Sequence, residues 1–274
     1  MKEPTCPGQL LFHWILNRYE HQRIDQTSWV TSVSDEFDVP QLEEFLLRST
    51  ALMLLRRLLW NAQWYESRFV DEAVTMSRYE KDYLSDVTRL SSIELHRLCI
   101  MVYNAVRASK KDISPGLFNS LRKRAETSSQ RCQLGGCAID YSAKDGHNAF
   151  SLDHIWPQSL GGSSEDWNLR VACKDCNTKR QNLVEAADSH YEHFHARTDG
   201  PAGAPNSLPS ELNSSFRLAA LLRADFRCEL CGSRVDETAG GLDFVRSNRY
   251  ENYHMFNIQV MCDSHGKQST STRP

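Results

Sequence analysis

The chain has 274 residues, a formal net charge of −3 at neutral pH and 40% hydrophobic residues. This length accommodates two or three small domains with cores of their own. The negative charge argues against a protein that binds nucleic acid through bulk positive charge. No apolar run approaches the roughly 18 residues that a membrane-spanning helix needs. No signal peptide is evident, so we expect a cytoplasmic protein without a membrane partner.

Residues 1–125 are predicted to form an all-α domain, because apolar residues recur there at the interval of amphipathic helices. One helix is predicted to follow Pro40. Another is predicted over residues 93–106, with Ser91 or Ser92 as its N-cap. Glycine and proline are scarce, so strands are not expected. Nothing here indicates a particular function, since substrate recognition, partner binding and autoinhibition are all compatible with such a domain.

Seven of the nine cysteines and one histidine form two repeats of similar spacing. Each repeat opens with Arg-Cys, contains Leu-Asp, and has an Asn five residues before its third metal-ligand candidate. Two short-spaced pairs are typical of a structural zinc site, and without an export signal they favour zinc over disulfides. The predicted ligands are Cys132, Cys137, Cys173 and Cys176 in the first repeat, and Cys228, Cys231, Cys262 and His265 in the second.

The two repeats fall in two further predicted domains. Residues 126–198 alternate short strands with loops and end in a helix from about Asn177. Residues 210–268 begin with a short helix and contain the second repeat. Residues 199–209 are rich in Gly, Pro and Ala and are predicted to be a linker, and residues 269–274 a polar tail. The predicted fold class is therefore α+β, with an N-terminal all-α domain and two small zinc-containing domains.

The first repeat contains residues that its zinc does not need. Asp153-His154 precedes Pro157 and a glycine-rich turn, Asn168 follows, and Asn177 comes directly after the last cysteine. This ordered set resembles the cysteine-framed HNH endonucleases, the ββα-metal nuclease family, over about residues 130–182. The resemblance implies a central ββα-metal domain and a second, degenerate copy that retains zinc.

The resemblance implies a role for each matching residue. His154 would be the general base that activates water, and Asn168 would brace the loop that orients it. Asp153 and Asn177 would hold one divalent cation, Mg²⁺ or Mn²⁺, since carboxylate and amide oxygens suit hard ions. An imidazole with a pKa of about 6.5 accepts a proton at neutral pH. The final His of the family name is Asn177 in this chain.

When the two repeats are aligned by sequence, the second repeat lacks the base and the amide ligand of the first. Phe244 is expected where His154 stands, and Gly266 where Asn177 stands. A phenyl ring cannot accept a proton, and glycine offers no side-chain ligand. This copy is therefore expected to bind zinc and to contribute no chemistry.

The predicted function is a metal-dependent endonuclease that hydrolyses DNA phosphodiester bonds one strand at a time. An alternative is a zinc-stabilised nucleic-acid-binding or scaffold protein without activity. In a third hypothesis the helical domain docks a protein partner or a second copy, as in a phage-defence or mobile-element system. The residues predicted to contact the phosphate backbone are Arg122, Lys123, Arg124, Arg131, Lys174, Lys179 and Arg180, although a solvated helix face accounts for the first cluster equally well.

Overall fold

The structure is a computed structural model that describes residues 4–22, 41–189, 214–248 and 255–266. The predicted linker at 199–209 and the predicted tail at 269–274 lie outside these ranges. Its helices are α1 (Pro7–Gln22), α2 (Gln41–Glu66), α3 (Glu72–Tyr79), α4 (Ser85–Val87), α5 (Ser92–Ser109), α6 (Pro115–Thr127), α7 (Lys174–Arg180) and α8 (Ser214–Arg223). Strands β1 (Phe150–His154) and β2 (Leu169–Cys173) form one two-stranded sheet, and β3 (Leu242–Arg246) and β4 (Ile258–Cys262) form another. Helices with small sheets agree with the predicted α+β class.

The chain forms two compact units, each made of two segments. Unit 1 comprises Met1–Pro115 and His154–Leu169, and unit 2 comprises Gly116–Asp153 and Arg170–Pro274. The chain therefore leaves unit 2 after Asp153 and returns to it at Arg170. This division does not follow the domain boundaries predicted from the sequence, which placed residues 126–198 in one domain.

The described part of residues 4–115 consists of helices and their connections and contains no strand, in agreement with the helical pattern of the sequence. Helix α5 begins after Ser91, whose hydroxyl accepts from the Glu94 amide while the Glu94 carboxylate accepts from the Ser91 amide. This reciprocal capping box satisfies two backbone donors. The buried face of α5 packs against α1 and α2, and it includes Cys99, which is fully buried.

The segment after β1 packs into the helices of unit 1. The Trp156 ring lies 5.5 Å from the ring of Phe12 on α1. Gly161 has a φ of +81°, and a Cβ there would come within 2.7 Å of the Ala105 Cβ on α5. Only glycine tolerates both this backbone conformation and this approach. The Gly8 amide donates to the Gly161 carbonyl at 3.1 Å. The helical region therefore holds the loop that follows the predicted base, which its sequence did not indicate.

The two cysteine repeats share hydrogen bonds as well as spacing. In the first repeat the Gln133 amide donates to the Val171 carbonyl at 2.9 Å, and the Val171 amide donates to the Gln133 side chain at 2.8 Å. In the second, Glu229 and Val260 make the same two bonds at 2.8 and 2.6 Å. In each repeat, the residue that directly follows the first cysteine thus bonds the cysteine turn to a strand of the sheet in that repeat. The two repeats therefore share local structure as well as sequence spacing.

Helix α7 begins three residues earlier than the sequence predicted. Its N-cap is Cys173, whose Sγ accepts from the Cys176 amide at 3.4 Å. The usual N-cap residues are Ser, Thr, Asp and Asn. Because a cysteine has this role here, the sequence pattern predicted a helix start at Asn177 instead. Asn177 lies inside α7, one turn from its beginning.

Candidate functional site

The first four cysteines converge on one point of unit 2. The Sγ atoms of Cys132, Cys137, Cys173 and Cys176 all lie within 4.8 Å of one another. Cys137 Sγ is 3.3 Å from Cys173 Sγ and 3.9 Å from Cys176 Sγ. Zn–S bonds of about 2.3 Å place the sulfurs of a tetrahedron roughly 3.8 Å apart. Hydrogen bonds from Cys132 and Cys176 lower the pKa of the Cys173 thiol, whereas burial raises the pKa of the Cys137 thiol and hydrogen bonds from Cys132 and Cys173 raise that of the Cys176 thiol.

The second cluster has three sulfurs and one imidazole. The ligand atoms of Cys228, Cys231, Cys262 and His265 also lie within 4.8 Å of one another. His265 Nδ1 is 3.2 Å from Cys262 Sγ and 3.5 Å from Cys228 Sγ. All nine cysteines of the chain are free thiols, so neither cluster contains a disulfide. Both predicted ligand sets are brought together, and both fit a closed structural zinc site.

His154 is the last residue of β1, and its ring is bonded to a hydroxyl group of unit 1. The Nε2 atom lies 3.1 Å from the Oγ of Ser164, a residue with 4% of its surface exposed. The Ser164 hydroxyl in turn donates to the Lys111 carbonyl, just beyond α5. His154 as a residue is half-buried, and the Ser164 contact holds the Nε2 edge of its ring.

Asn168 is almost fully buried and uses its whole amide group on the loop after β1. Its Oδ1 accepts from the Trp156 amide at 2.8 Å. Its Nδ2 donates to the Trp156 carbonyl at 3.1 Å and to the Ser163 carbonyl at 2.8 Å. Three bonds to backbone atoms make Asn168 a brace of this loop. A direct part for Asn168 in catalysis stays a prediction.

Asp153 lies in a buried ion cluster of unit 2 with two arginines. Its Oδ2 accepts from Arg170 Nε at 2.7 Å, and its Oδ1 accepts from Arg180 Nη1 at 2.6 Å. The side chains of Asp153 and Arg180 are 3% and 1% exposed, and that of Arg170 is 10% exposed. Burial lowers the pKa of the Arg180 guanidinium, and the nearby Asp153 carboxylate opposes this shift. The Arg170 guanidinium also stacks over the Phe226 ring at 4.6 Å.

Asn177 on α7 has its amide nitrogen committed to β1. Its Nδ2 donates to the Ser151 hydroxyl at 2.8 Å and to the Leu152 carbonyl at 3.0 Å. An amide nitrogen has two hydrogens, so both are used. The orientation of the side chain is thereby fixed, with Oδ1 remaining as the atom suited to a cation.

The contacts of Asp153 do not fit a divalent cation held by Asp153 and Asn177. Each carboxylate oxygen of Asp153 already accepts from a guanidinium, one from Arg170 and one from Arg180. A divalent ion would add two positive charges beside them in a buried setting, where repulsion is weakly screened. Among the described residues, the His, Cys, Asp and Glu groups that could hold a metal are the two cysteine clusters. We therefore assign no step of a reaction to such an ion.

The structure corrects one residue predicted to contact nucleic acid. Arg180 is buried against Asp153, because the ion pair compensates its charge where water cannot, and it is not available to a phosphate. Lys123 and Arg124 on α6 are exposed. The remaining four bond within the chain, Arg122 to the Tyr141 carbonyl, Arg131 to the Thr238 carbonyl, Lys174 to Asp145 and Lys179 to Asp175.

The structure also changes which residue of the second repeat corresponds to His154. The residue after β1, Ile155, donates its amide to the Asn168 carbonyl at 2.8 Å, and the residue after β3, Ser247, donates to the Asn257 carbonyl at 3.0 Å. The last residue of each strand is therefore equivalent, which pairs His154 with Arg246 rather than with Phe244.

The prediction for Phe244 was wrong because the loop to the bracing asparagine is shorter in the second repeat. Asn257 lies eleven positions after Arg246, whereas Asn168 lies fourteen positions after His154. Alignment on the Leu-Asp pair alone therefore shifted the register by two. An arginine stays protonated, so Arg246 is no base either. Phe244 is a buried core residue, 4% exposed.

Three residues near the predicted site were missed by sequence reasoning. Ser164 and Lys111 belong to no motif, and their contact depends on the packing of a loop against the end of α5. Arg170 had a usable signal, because a charged residue inside the apolar strand β2 requires a buried partner.

A comparison with models of known protein families finds a match in the central part of the chain. Residues 137–192 match the family model described as HNH endonuclease. This confirms the family inferred from the residue pattern for this segment, which includes His154, Asn168 and Asn177. No curated protein and no solved structure matches the chain. No described helix is long and apolar enough to cross a membrane.

Proposed function

We propose that this protein is an endonuclease that hydrolyses phosphodiester bonds in DNA, with His154 as the general base. The observation that carries the proposal is the match of residues 137–192 to the HNH endonuclease family, with the Asp-His pair of that family at the end of β1. The half-buried imidazole is held at one nitrogen by Ser164, as a base with a defined orientation requires. The second repeat, with Arg246 at the equivalent position, contributes stability and no chemistry.

Hydrolysis of a phosphodiester needs a deprotonated water and compensation of the charge on the leaving oxygen. A neutral imidazole provides the first at physiological pH. HNH nucleases use divalent metals for the second, and the resemblance assigns Mg²⁺ or Mn²⁺ to Asp153 and Asn177. Asp153 is paired with Arg170 and Arg180, so the dependence of cleavage on a divalent metal is tested directly. Plasmid cleavage should be measured with Mg²⁺, with Mn²⁺ and in metal-depleted buffer.

The His154→Ala variant should lose cleavage of supercoiled plasmid by at least about 100-fold, the lower range for removal of a general base. Its fold and zinc content should match the wild type, because His154 is half-buried and belongs to neither cysteine cluster. The matched control is His147→Ala, which removes an exposed histidine from the same family segment. Wild-type cleavage by His154→Ala would remove this residue from the mechanism.

A monomer should nick DNA rather than cut both strands. One base serves one phosphodiester at a time, and Arg246 cannot serve the opposite strand. Open circles should accumulate before linear plasmid, and the yield of linear product should rise with protein concentration. Immediate linearisation at concentrations where sedimentation shows a monomer would require a second active site.

A second candidate function is a zinc-stabilised nucleic-acid-binding protein without activity. The buried pairing of Asp153 with two arginines favours it, because this pairing occupies the carboxylate that the resemblance assigns to the cation. Exposed Lys123, Arg124, Lys174 and Lys179 suit contacts with a phosphate backbone in either case. Salt-dependent DNA binding without cleavage under any metal condition would select this alternative.

A further inference from the structure

The hydrogen-bond partners of Ser164 determine which nitrogen of His154 carries the proton. The Lys111 carbonyl can only accept, so the Ser164 hydroxyl donates its single proton to that carbonyl. No proton remains for a bond from Ser164 to His154. At the 3.1 Å contact between Ser164 Oγ and His154 Nε2, the imidazole must therefore be the donor.

We propose that Ser164 is a positioning residue that fixes neutral His154 as its Nε2–H tautomer and holds the plane of its ring. A neutral imidazole has one donor and one acceptor nitrogen. A donor at Nε2 therefore leaves the lone pair at Nδ1. The bond also holds the ring plane, since rotation about the Cβ–Cγ bond would break it. The proposal deepens the proposed function and rests on it for its catalytic meaning.

The carbonyl that orients Ser164 is itself held by several contacts within unit 1. Gln158 Nε2 donates to the same Lys111 carbonyl at 3.1 Å. The Lys111 ammonium group pairs with the Glu165 carboxylate at 2.7 Å. The turn after α5 thus holds the loop after β1 at three side chains, two of which meet at one carbonyl oxygen. The helical region thereby sets the tautomer of His154 through the Lys111 carbonyl.

The tautomer can be measured without DNA and without catalysis. Long-range proton–nitrogen correlation spectra of the ¹⁵N-labelled full chain, recorded where the imidazole is neutral, distinguish a protonated from an unprotonated ring nitrogen. His154 is assigned by the signals that disappear in His154→Gln. We expect protonated Nε2 and unprotonated Nδ1 in the wild type. Signals of the opposite tautomer for wild-type His154 would overturn the proposal, whatever the variants do.

Ser164 variants test whether the hydroxyl is the cause. Ser164→Ala should lower the population of the Nε2–H tautomer, and Ser164→Thr, which keeps a hydroxyl, should restore it. The matched control is Ser109→Ala, which removes a hydroxyl that also donates to a backbone carbonyl, at 2.7 Å, but contacts no histidine. An unchanged His154 tautomer in folded Ser164→Ala would overturn the role of Ser164. If this variant does not fold, the wild-type and Ser164→Thr spectra still decide the tautomer.

Kinetics separate this proposal from the proposed function. With an active enzyme, Ser164→Ala should lower kcat about tenfold and leave KM unchanged, as loss of one hydrogen bond of ordinary strength permits. Ser164→Thr should recover most of kcat. If no variant and no wild-type sample cleaves DNA, the proposed function fails, whereas the spectra still report on the tautomer. If cleavage requires His154 but the wild-type tautomer is Nδ1–H, the function stands and this inference fails.

Discussion

The Asp153→Ala variant should lose about 3–5 kcal/mol of unfolding free energy, the usual cost of removing one partner from a buried ion pair. The variant leaves the Arg170 and Arg180 guanidinium groups facing each other without the carboxylate that both now bond. If Asp153 instead served only to hold a cation, as the family resemblance implies, the variant would lose activity but melt near the wild-type temperature. Denaturant unfolding followed by circular dichroism measures the difference directly.

The control for this loss of stability is Asp243→Ala, which removes an exposed aspartate from strand β3 of the second repeat. It should change the unfolding free energy by less than about 0.5 kcal/mol. The double variant Asp153→Ala/Arg180→Met should be more stable than the sum of the two single effects, since it removes a buried charge together with its partner. Equal melting of Asp153→Ala and Asp243→Ala would show that the ion cluster contributes no stability.

This expectation changes how inactivity of an Asp153 variant should be interpreted. A variant that is partly unfolded loses cleavage whether or not Asp153 ever binds a metal. Activity should therefore be compared at a temperature where both proteins are folded, beside the cation affinity of each. Loss of cleavage with unchanged Mn²⁺ affinity would assign Asp153 to structure.

The Cys173→Ser variant should bind one zinc ion instead of two and should unfold the first repeat. Cys173 is both a predicted zinc ligand and the N-cap of α7. Binding of a structural zinc is worth on the order of 10–16 kcal/mol in small zinc domains, so loss of one ligand forfeits much folding energy. Elemental analysis should give about two zinc ions per wild-type chain, because each cluster offers four ligands.

Two further variants identify the zinc that is lost. Cys262→Ser should also leave one zinc, but in the first repeat, so that α7 and β1 remain folded. Lys174→Ala, an exposed substitution next to Cys173, should keep two zinc ions and wild-type stability. One zinc in the wild-type protein would mean that the second repeat has lost its metal as well as its base.

The two clusters of metal-ligand candidates, the family of the central segment and the main helices could be predicted from the sequence because they depend on local spacing. Two close pairs of ligands define a metal site wherever the fold brings them together, and both predicted sets do converge. The helix predicted over residues 93–106 follows from apolar periodicity, with Ser91 or Ser92 as the predicted cap; the helix spans Ser92–Ser109, and Ser91 is its cap. The Asp-His pair at the end of β1 follows from the order of the family motif.

Tertiary structure decided the contacts that join residues far apart in the chain. The partners of Asp153 lie 17 and 27 residues away, and Ser164 meets a carbonyl 53 residues away. A charge or hydroxyl that becomes buried must find a partner, but its sequence does not say which one, because the choice depends on how loops and helices pack. Loop length likewise decided that Arg246, and not Phe244, is equivalent to His154, since strand register is set by backbone pairing and not by the resemblance of two dipeptides.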